Sequence, residues 1–332
     1  MNAKRSSYLI VTLSLAALLI FAMFGAGCTS TESKTTAATS APTASPTVAA
    51  TAQQTVAAAS TTAAVTAAPV STIASSGEKQ TIKISGSTTV LPIVQKAADQ
   101  YMATHEGADI QIAGGGSGVG VQAIGAKTVD IGMSSREVTS AEKAKYPGLV
   151  ITSVAQDGIA VVVNPANEID YITLDQIKNI YLGKITKWTE ITGANVPNTN
   201  NQIVIIGRDS ASGTRSYFDE TILSKKTPTN KMLEKNSNGA VLQTVAQTPG
   251  SIGYISIGFV SDDVKALPIW YNAQDIVAPT IDNVKTKTYP VSRDLYVITN
   301  GQPTGLTSDF INYILGPDGQ KIVADEGYVT LS

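Results

Sequence analysis

The chain has 332 residues, a length that accommodates two ordinary domains, and its 43% hydrophobic content excludes disorder of the whole chain. Its net charge of −2 excludes a global positive field of the kind that gathers nucleic acid or anionic membranes. Any preference for an anion must therefore come from a local site.

The first 28 residues have the layout of an export signal. Lys4 and Arg5 precede an uncharged apolar run over 8–24, and the small residues 25–27 lead to Cys28, the only cysteine. We predict a lipoprotein-type signal peptide over 1–28, with Cys28 acylated and the protein held at the membrane by this lipid. The alternative is an uncleaved N-terminal anchor helix with an incidental cysteine.

Residues 29–79 have a different composition from the rest of the chain. They are almost entirely Thr, Ala, Ser, Val, Pro and Gln, with hardly any charge and no periodicity. Such a segment buries too little apolar surface to offset the entropy of ordering, so we predict a disordered tether.

From Thr81 onward, short β-branched runs alternate with helical patterns, which is typical of an α/β fold. Thr173 is a predicted helix N-cap, with Gly183 ending that helix. In chain order, strands are predicted over 81–85, 108–114, 129–134, 157–165, 202–207, 252–256, 265–269 and 294–300, and helices over 90–103, 119–126, 173–182, 214–223 and, as a closing pair, 308–327.

Three loops share one design: 85–90, 114–120 and 207–214 each follow a predicted strand, lead into a predicted helix and are rich in Gly, Ser and Thr. Each offers free backbone N–H groups at a helix start, where the dipole favours negative charge. Singly, such loops are more often caps and tight turns, and Arg208 alone is more often solvated. Their conjunction with an arginine predicts a pocket for a small anion.

Other chemistries lack their usual residues. Neither glycine loop is a nucleotide motif, and His105 is the single histidine, predicted on the polar side of the first helix or just after it. No Cys/His cluster or paired acidic motif predicts a metal. We therefore expect no cofactor, no metal and no catalysis.

Nine segments of the chain, in order from about Thr81 to the C-terminus and outside the tether, are ISGSTTVLPIVQKAADQY, GGGSGVG, VDIGMSSREV, DGIAVVVNPAN, IKNIYLGKITKWTEI, GRDSASGTRSYF, TPGSIGYIS, YPVSRDLYVITNG and LGPDGQKIVADEGYV. Together they resemble one known family, the phosphate-binding proteins of ABC-type phosphate importers.

The resemblance implies an α/β, two-lobed fold of the type II periplasmic binding proteins, a Venus flytrap with two crossovers between lobes. We place lobe I at 80–163 and 290–332 and lobe II at 164–289. It also implies that a monomer captures inorganic phosphate between the lobes and delivers it to a membrane permease.

Family binding positions carry over motif by motif. The ones that match are Ser87, Thr88, Thr89, Ser117, Arg208, Ser212, Gly213 and Thr214. Ser135 stands where better-known members have an aspartate that accepts the ligand's proton. We predict Asp157 as the replacement acceptor, with Asp209 as the next candidate, and Arg136 as either a second anion ligand or a surface charge.

Three alternatives remain open. The missing aspartate favours another tetrahedral oxyanion, such as sulfate, molybdate or tungstate. An exported phosphatase and a surface adhesin or sensor that uses the same fold are rivals from other classes. The long stalk after an acylated cysteine suits a single-membrane cell, archaeal or Gram-positive.

Overall fold

A computed structural model describes residues 79–197, 199–272 and 275–331, all within one compact unit, Thr72–Ser332. The predicted signal peptide, its Cys28 and the predicted tether up to residue 78 lie outside the described residues. Within these ranges, no helix is both long and apolar enough to cross a membrane.

The described residues form an α/β fold, as the alternating pattern predicts. The strands are β1 Gln80–Gly86, β2 Ala108–Ala113, β3 Ile131–Ser134, β4 Leu149–Val163, β5 Ile172–Thr173, β6 Val204–Arg208, β7 Leu233–Lys235, β8 Ser251–Ser256, β9 Lys265–Ala266, β10 Ile269–Asn272, β11 Asp275–Val277 and β12 Ser292–Asn300. The helices are α1 Leu91–Thr104, α2 Ser117–Gly125, α3 Ser140–Lys145, α4 Leu174–Tyr181, α5 Gly213–Thr221, α6 Asn238–Gln247, α7 Ile281–Lys285, α8 Gly305–Leu315 and α9 Pro317–Asp325.

The main sheet has the strand order β2-β1-β3-β12-β4-β8-β6-β7, with β9 paired to β4. Strands β1, β2 and β3 are parallel to one another, as are β6, β7 and β8. Between these parallel groups lie β12 and β4, which are antiparallel to each other and to their outer neighbours. A separate three-stranded sheet contains β11, β10 and β5.

Of the three hydrophobic clusters among the described residues, the two largest are called cores here and lie one on each side of the β4–β12 pair. The first contains α1, α8 and α9 residues packed on β1 and β3, and the second contains α4, α5 and α6 residues packed on β6 and β8. Along β4, Ala155 belongs to the first core and Ile159 to the second. Val291, just before β12, belongs to the second core, and Leu295 in β12 belongs to the first. The two strands therefore carry the chain from one core to the other and back.

Local signals account for most element positions. The Thr173 side chain accepts a hydrogen bond from the Gln176 amide in a capping box, which confirms the predicted start of α4. The predicted strand 265–269 is instead two short strands, because Pro268 has no N–H to donate. Strand β4 begins at Leu149 rather than at 157. Its first five residues are half-buried and show no alternation, so no period-two pattern marks them in the sequence. Helix α6 was not predicted.

Candidate anion-binding site

The three donor-rich loops meet at one place in the fold. They precede α1, α2 and α5, on strands β1, β2 and β6 respectively, so two come from the first-core side and one from the second-core side. The Arg208 Nη2 atom donates to Thr88 Oγ1 at 3.1 Å, and Thr89 Oγ1 lies 3.2 Å from Thr214 Oγ1. The Gly118 amide donates to the Ala211 carbonyl at 3.0 Å. These contacts join residues up to 125 positions apart in sequence into one polar group.

We call this group the donor cluster. It comprises buried side chains that carry hydroxyl, amide or guanidinium groups, and its members are Thr88, Thr89, Ser117, Ser135, Arg208, Thr214 and Asn238.

Glycines allow the loops to approach this closely. Gly116 has φ of 96°, and a Cβ there would lie 2.5 Å from the Ala211 carbonyl oxygen. A Cβ at Gly213 would lie 2.1 Å from Ser117 Oγ and 2.8 Å from Ser135 Oγ. Any larger residue at Gly213 would therefore fill the space beside the two serine hydroxyls.

Arg208 is the cationic member of the donor cluster and is 1% exposed. Its guanidinium donates to the Lys235 carbonyl, the Asn236 carbonyl and Asn238 Oδ1, each at 3.2 Å, as well as to Thr88. Among the described residues, no carboxylate lies within salt-bridge distance of it. Burial lowers the pKa of Arg208 to about 10, which leaves it charged at neutral pH. The structure therefore holds a buried cation with no close carboxylate to neutralise it.

Asn238 links this guanidinium to the hydroxyls. Its Oδ1 accepts from Arg208 Nη1 at 3.2 Å and from the Ser256 amide at 3.3 Å. Both partners can only donate, which fixes the amide orientation. Its Nδ2 must then donate to Thr89 Oγ1, at 2.9 Å.

Two predicted serines accept backbone hydrogen bonds near helix starts, Ser87 in the turn before α1 and Ser212 as the N-cap of α5. Ser87 Oγ accepts from the amides of Thr89 and Val90, at 3.2 and 3.4 Å, and Ser212 Oγ accepts from the Arg215 amide at 3.2 Å. A capping oxygen uses its lone pairs, so each hydroxyl proton remains available for donation.

Ser117 and Ser135 form a second hydroxyl pair in the donor cluster. Their Oγ atoms lie 3.3 Å apart, and the Ser135 amide donates to Ser117 Oγ at 3.0 Å. Ser135, which occupies the place of the family aspartate, thus lies in the cluster.

Arg136 lies outside the donor cluster, and its predicted role as a second anion ligand stays a prediction. It makes a two-pronged ion pair with Glu142, Nη2 to Oε1 at 2.7 Å and Nη1 to Oε2 at 2.8 Å. The carboxylate satisfies this guanidinium and turns it toward α3, where Glu142 also completes the Thr139 capping box.

Asp157 is buried beside the donor cluster, but its carboxylate is already occupied. Arg293 Nε and Nη2 donate to Oδ2 at 3.0 and 2.7 Å, and Ser256 Oγ donates to Oδ1 at 2.6 Å. The Ile257 amide also bonds to this carboxylate. Burial raises the pKa of Asp157, and the Arg293 charge opposes that rise. These donors engage its acceptor sites in an ion pair, and its role as acceptor of the ligand's proton stays a prediction.

Asp209 stays a prediction for that acceptor. Its Oδ1 is buried and has no hydrogen-bond partner within the described residues. Its charge stabilises the charged form of Arg208, although from beyond ion-pair distance.

Sequence analysis missed three polar residues here: Asn238, Ser256 and Arg293. Arg293 carried a usable signal, because it alternates in phase with Leu295 and Val297 and all three are buried. An arginine on the apolar face of a strand needs a buried partner. Neither Asn238 nor Ser256 shows a comparable signal.

The remaining predicted features have simpler places. His105 ends α1 and stacks on the Tyr101 ring, with 3.9 Å between ring centroids. No group of three or more His, Cys, Asp or Glu side chains in the described part of the chain is arranged to hold a metal ion.

Comparison with known proteins gives one consistent result. Residues 29–318 match the model of the PBP superfamily domain. The phosphate-binding protein PstS of Bacillus subtilis is 35% identical over 281 residues, which cover 83% of this chain and 90% of that protein.

Solved structures agree. A putative phosphate ABC transporter substrate-binding protein from Clostridium perfringens, with bound phosphate, is 33% identical with a TM-score of 0.70 and covers 76% of this chain and 100% of its own. An ABC-type phosphate transport receptor from Vibrio cholerae is 30% identical with a TM-score of 0.61, over 75% of this chain and 99% of its own. With this fold and these relatives, the chain belongs to the PstS family of phosphate-binding proteins within the PBP superfamily.

Proposed function

We propose that this protein captures inorganic phosphate at the donor cluster, outside the cytoplasm, and delivers it to the membrane permease of an ABC importer. The observation that carries this proposal is Arg208, a buried guanidinium with no close carboxylate, surrounded by hydroxyl and amide donors. Such a group gains most from an anion that supplies the missing negative charge. The relatives are named for phosphate binding, which supports phosphate as that anion.

The mechanism is reversible capture without chemistry. Residues 80–163 and 290–332 would form one lobe and 164–289 the other, with β4 and β12 as the crossovers between the two cores. Thr88, Thr89, Ser117 and Ser135 come from one lobe, and Arg208, Ser212, Gly213 and Thr214 from the other. The full donor set exists only when the lobes meet, so phosphate shifts the hinge equilibrium toward closure. A permease then has a distinct closed form to recognise.

The predicted signal peptide and lipid anchor belong to this proposal as well. Cleavage before Cys28 and acylation of its thiol would anchor a monomer at the outer face of the membrane through the tether. The mass of the mature protein tests this prediction. The Cys28→Ala variant should lack the lipid and should no longer be found in the membrane fraction.

Calorimetric titration tests the ligand. We expect the wild type to bind phosphate, and Arg208→Met to weaken binding by about tenfold to a hundredfold, since hydrogen bonds to charged groups contribute about 1.5–3 kcal/mol. Arg136→Gln is the matched control, because that arginine is satisfied by Glu142. Equal losses for both variants would place the charge of the site elsewhere.

Two further measurements address the rivals. Sulfate and molybdate, titrated under the same conditions, should compete poorly with phosphate. Release of phosphate from a chromogenic ester by the wild type, abolished in Arg208→Met, would instead support the phosphatase.

A further inference from the structure

A second buried guanidinium lies beside the donor cluster and has a different electrostatic setting from Arg208. Arg293 on β12 and Asp157 on β4 are directly opposite each other in the antiparallel pair, where the two strands leave one core for the other. Their side chains are 1% and 0% exposed and form an ion pair of 2.7 Å. This pair adds almost no net charge to the site, so the cation available to an anion is Arg208.

The remaining donors of Arg293 point to both sides of the cluster. Its Nη1 donates to the Ser135 carbonyl at 2.9 Å. Its Nη2 donates to Thr214 Oγ1 at 3.0 Å and reaches Thr89 Oγ1 at 3.4 Å. Thr89 and Ser135 belong to the first-core side and Thr214 to the second, so one side chain connects the two sides.

Hydrogen-bond accounting shows what these contacts do to the two threonines. Thr89 Oγ1 accepts from Asn238 Nδ2 at 2.9 Å and from Arg293, which occupies both of its lone pairs. Because Thr89 Oγ1 has no lone pair left, the 3.2 Å hydrogen bond between the two hydroxyls must run from Thr89 to Thr214. Thr214 Oγ1 therefore accepts from both Thr89 and Arg293, the latter at 3.0 Å. A hydroxyl whose lone pairs are both taken can only donate its proton, so Thr214 is oriented as a donor, which is what an oxyanion requires.

We propose that Arg293, held in place by Asp157, is a positioning residue that fixes the direction of the hydrogen bond from Thr89 to Thr214 and so makes the Thr214 hydroxyl an obligate donor to the bound anion. This inference rests on the proposed function. Arg208 supplies charge, whereas Arg293 supplies donor orientation. Without it, the hydrogen bond between the two hydroxyls can run in either direction, and an incoming anion must reorganise them.

The test is a double-mutant cycle on phosphate affinity, measured by calorimetry. Arg293→Met alone would leave Asp157 as an unpaired buried charge, so the perturbation is the neutral pair Asp157→Asn with Arg293→Met. It is introduced into the wild type and into a background carrying Thr89→Val and Thr214→Val, which keeps side-chain shape and removes the hydroxyls. We expect a loss of about tenfold or more in the wild type and of less than about threefold in the valine background.

Arg208→Lys in the same two backgrounds is the comparison. Arg208 bonds to Thr88 and neither of the replaced hydroxyls, so its effect should be similar in both. Unchanged phosphate affinity of the neutral-pair variant would overturn the inference. An equal loss of affinity in both backgrounds would also overturn it, because Arg293 would then act on the ligand directly or on the fold.

A conservative variant covers the case in which the neutral pair does not fold. Arg293→Lys retains the charge opposite Asp157, but a single ammonium lacks the fork that also reaches the threonines. It should keep the circular dichroism spectrum and still lose about tenfold in phosphate affinity; full affinity would refute the inference. A wild type that binds no phosphate refutes the proposed function and this inference with it, whereas binding with additive losses refutes the inference alone.

Discussion

Replacing Gly213 with alanine should separate the two sides of the donor cluster while leaving the fold intact. Gly213 is the first residue of α5, and an added Cβ would lie 2.1 Å from Ser117 Oγ and 2.8 Å from Ser117 Cβ. Rotation of the Ser117 hydroxyl relieves the first contact but not the second. Because carbon atoms pack at about 3.5–4 Å, the two sides must move apart by about 1 Å.

The magnitude follows from the bonds that cross the cluster. Three hydrogen bonds of 2.9–3.2 Å join the two sides: Arg208 to Thr88, Thr89 to Thr214, and Asn238 to Thr89. A separation of about 1 Å breaks all three. At about 1 kcal/mol each, their loss costs about 3 kcal/mol, or about a hundredfold in phosphate affinity. In the proposed open form without phosphate these three bonds are not made, so the free energy of unfolding of the empty protein should not fall, and alanine is also the better helix former.

Calorimetry and thermal unfolding of the same preparations measure both effects. Gly239→Ala is the matched control, because Gly239 also lies in the first turn of a helix, α6, and an added Cβ there has no atom within 4 Å. Phosphate affinity equal to wild type in Gly213→Ala would refute the close approach of Gly213 to Ser117 on which the site geometry depends.

Two predictions concern stability rather than binding. Burial raises the pKa of Asp219 from an ordinary 3.8 to about 6, and the charge of Arg215 opposes that rise. The protonated carboxyl therefore contributes to the free energy of unfolding in full below about pH 4, and this contribution is lost as the pH rises through 6. In urea unfolding, the free energy of unfolding of Asp219→Asn relative to wild type should rise by about 1 kcal/mol between pH 4 and pH 7, a value reduced to allow for partial exposure. A difference that does not change with pH would contradict the raised pKa. Thr173→Ala removes the α4 cap and should cost about 1 kcal/mol in the same assay with phosphate affinity unchanged, and a change in affinity would show that α4 is coupled to the site.

Arginines show where sequence analysis succeeds and where it stops. The setting of Arg208, at the end of a strand and before a donor-rich helix start, is local and was visible in the sequence. The neighbours of Arg136 were also local, since Glu142 is six residues away, but the ion pair depends on α3, a short helix that was not predicted. Arg293 has its buried partner 136 residues away.

The sequence by itself determined the α/β class, most strands and helices, and the three loops that carry the donors. These depend on alternation, helical spacing and caps, which act over a few residues. Only the tertiary structure decided the partners of the buried charges: Arg208 has no close carboxylate among the residues that the structure describes, Asp157 is held by Arg293, and Asn238 bonds to Thr89 from 149 residues away. The free energy of a buried charge depends on whatever the folded chain places around it, and no local pattern records that.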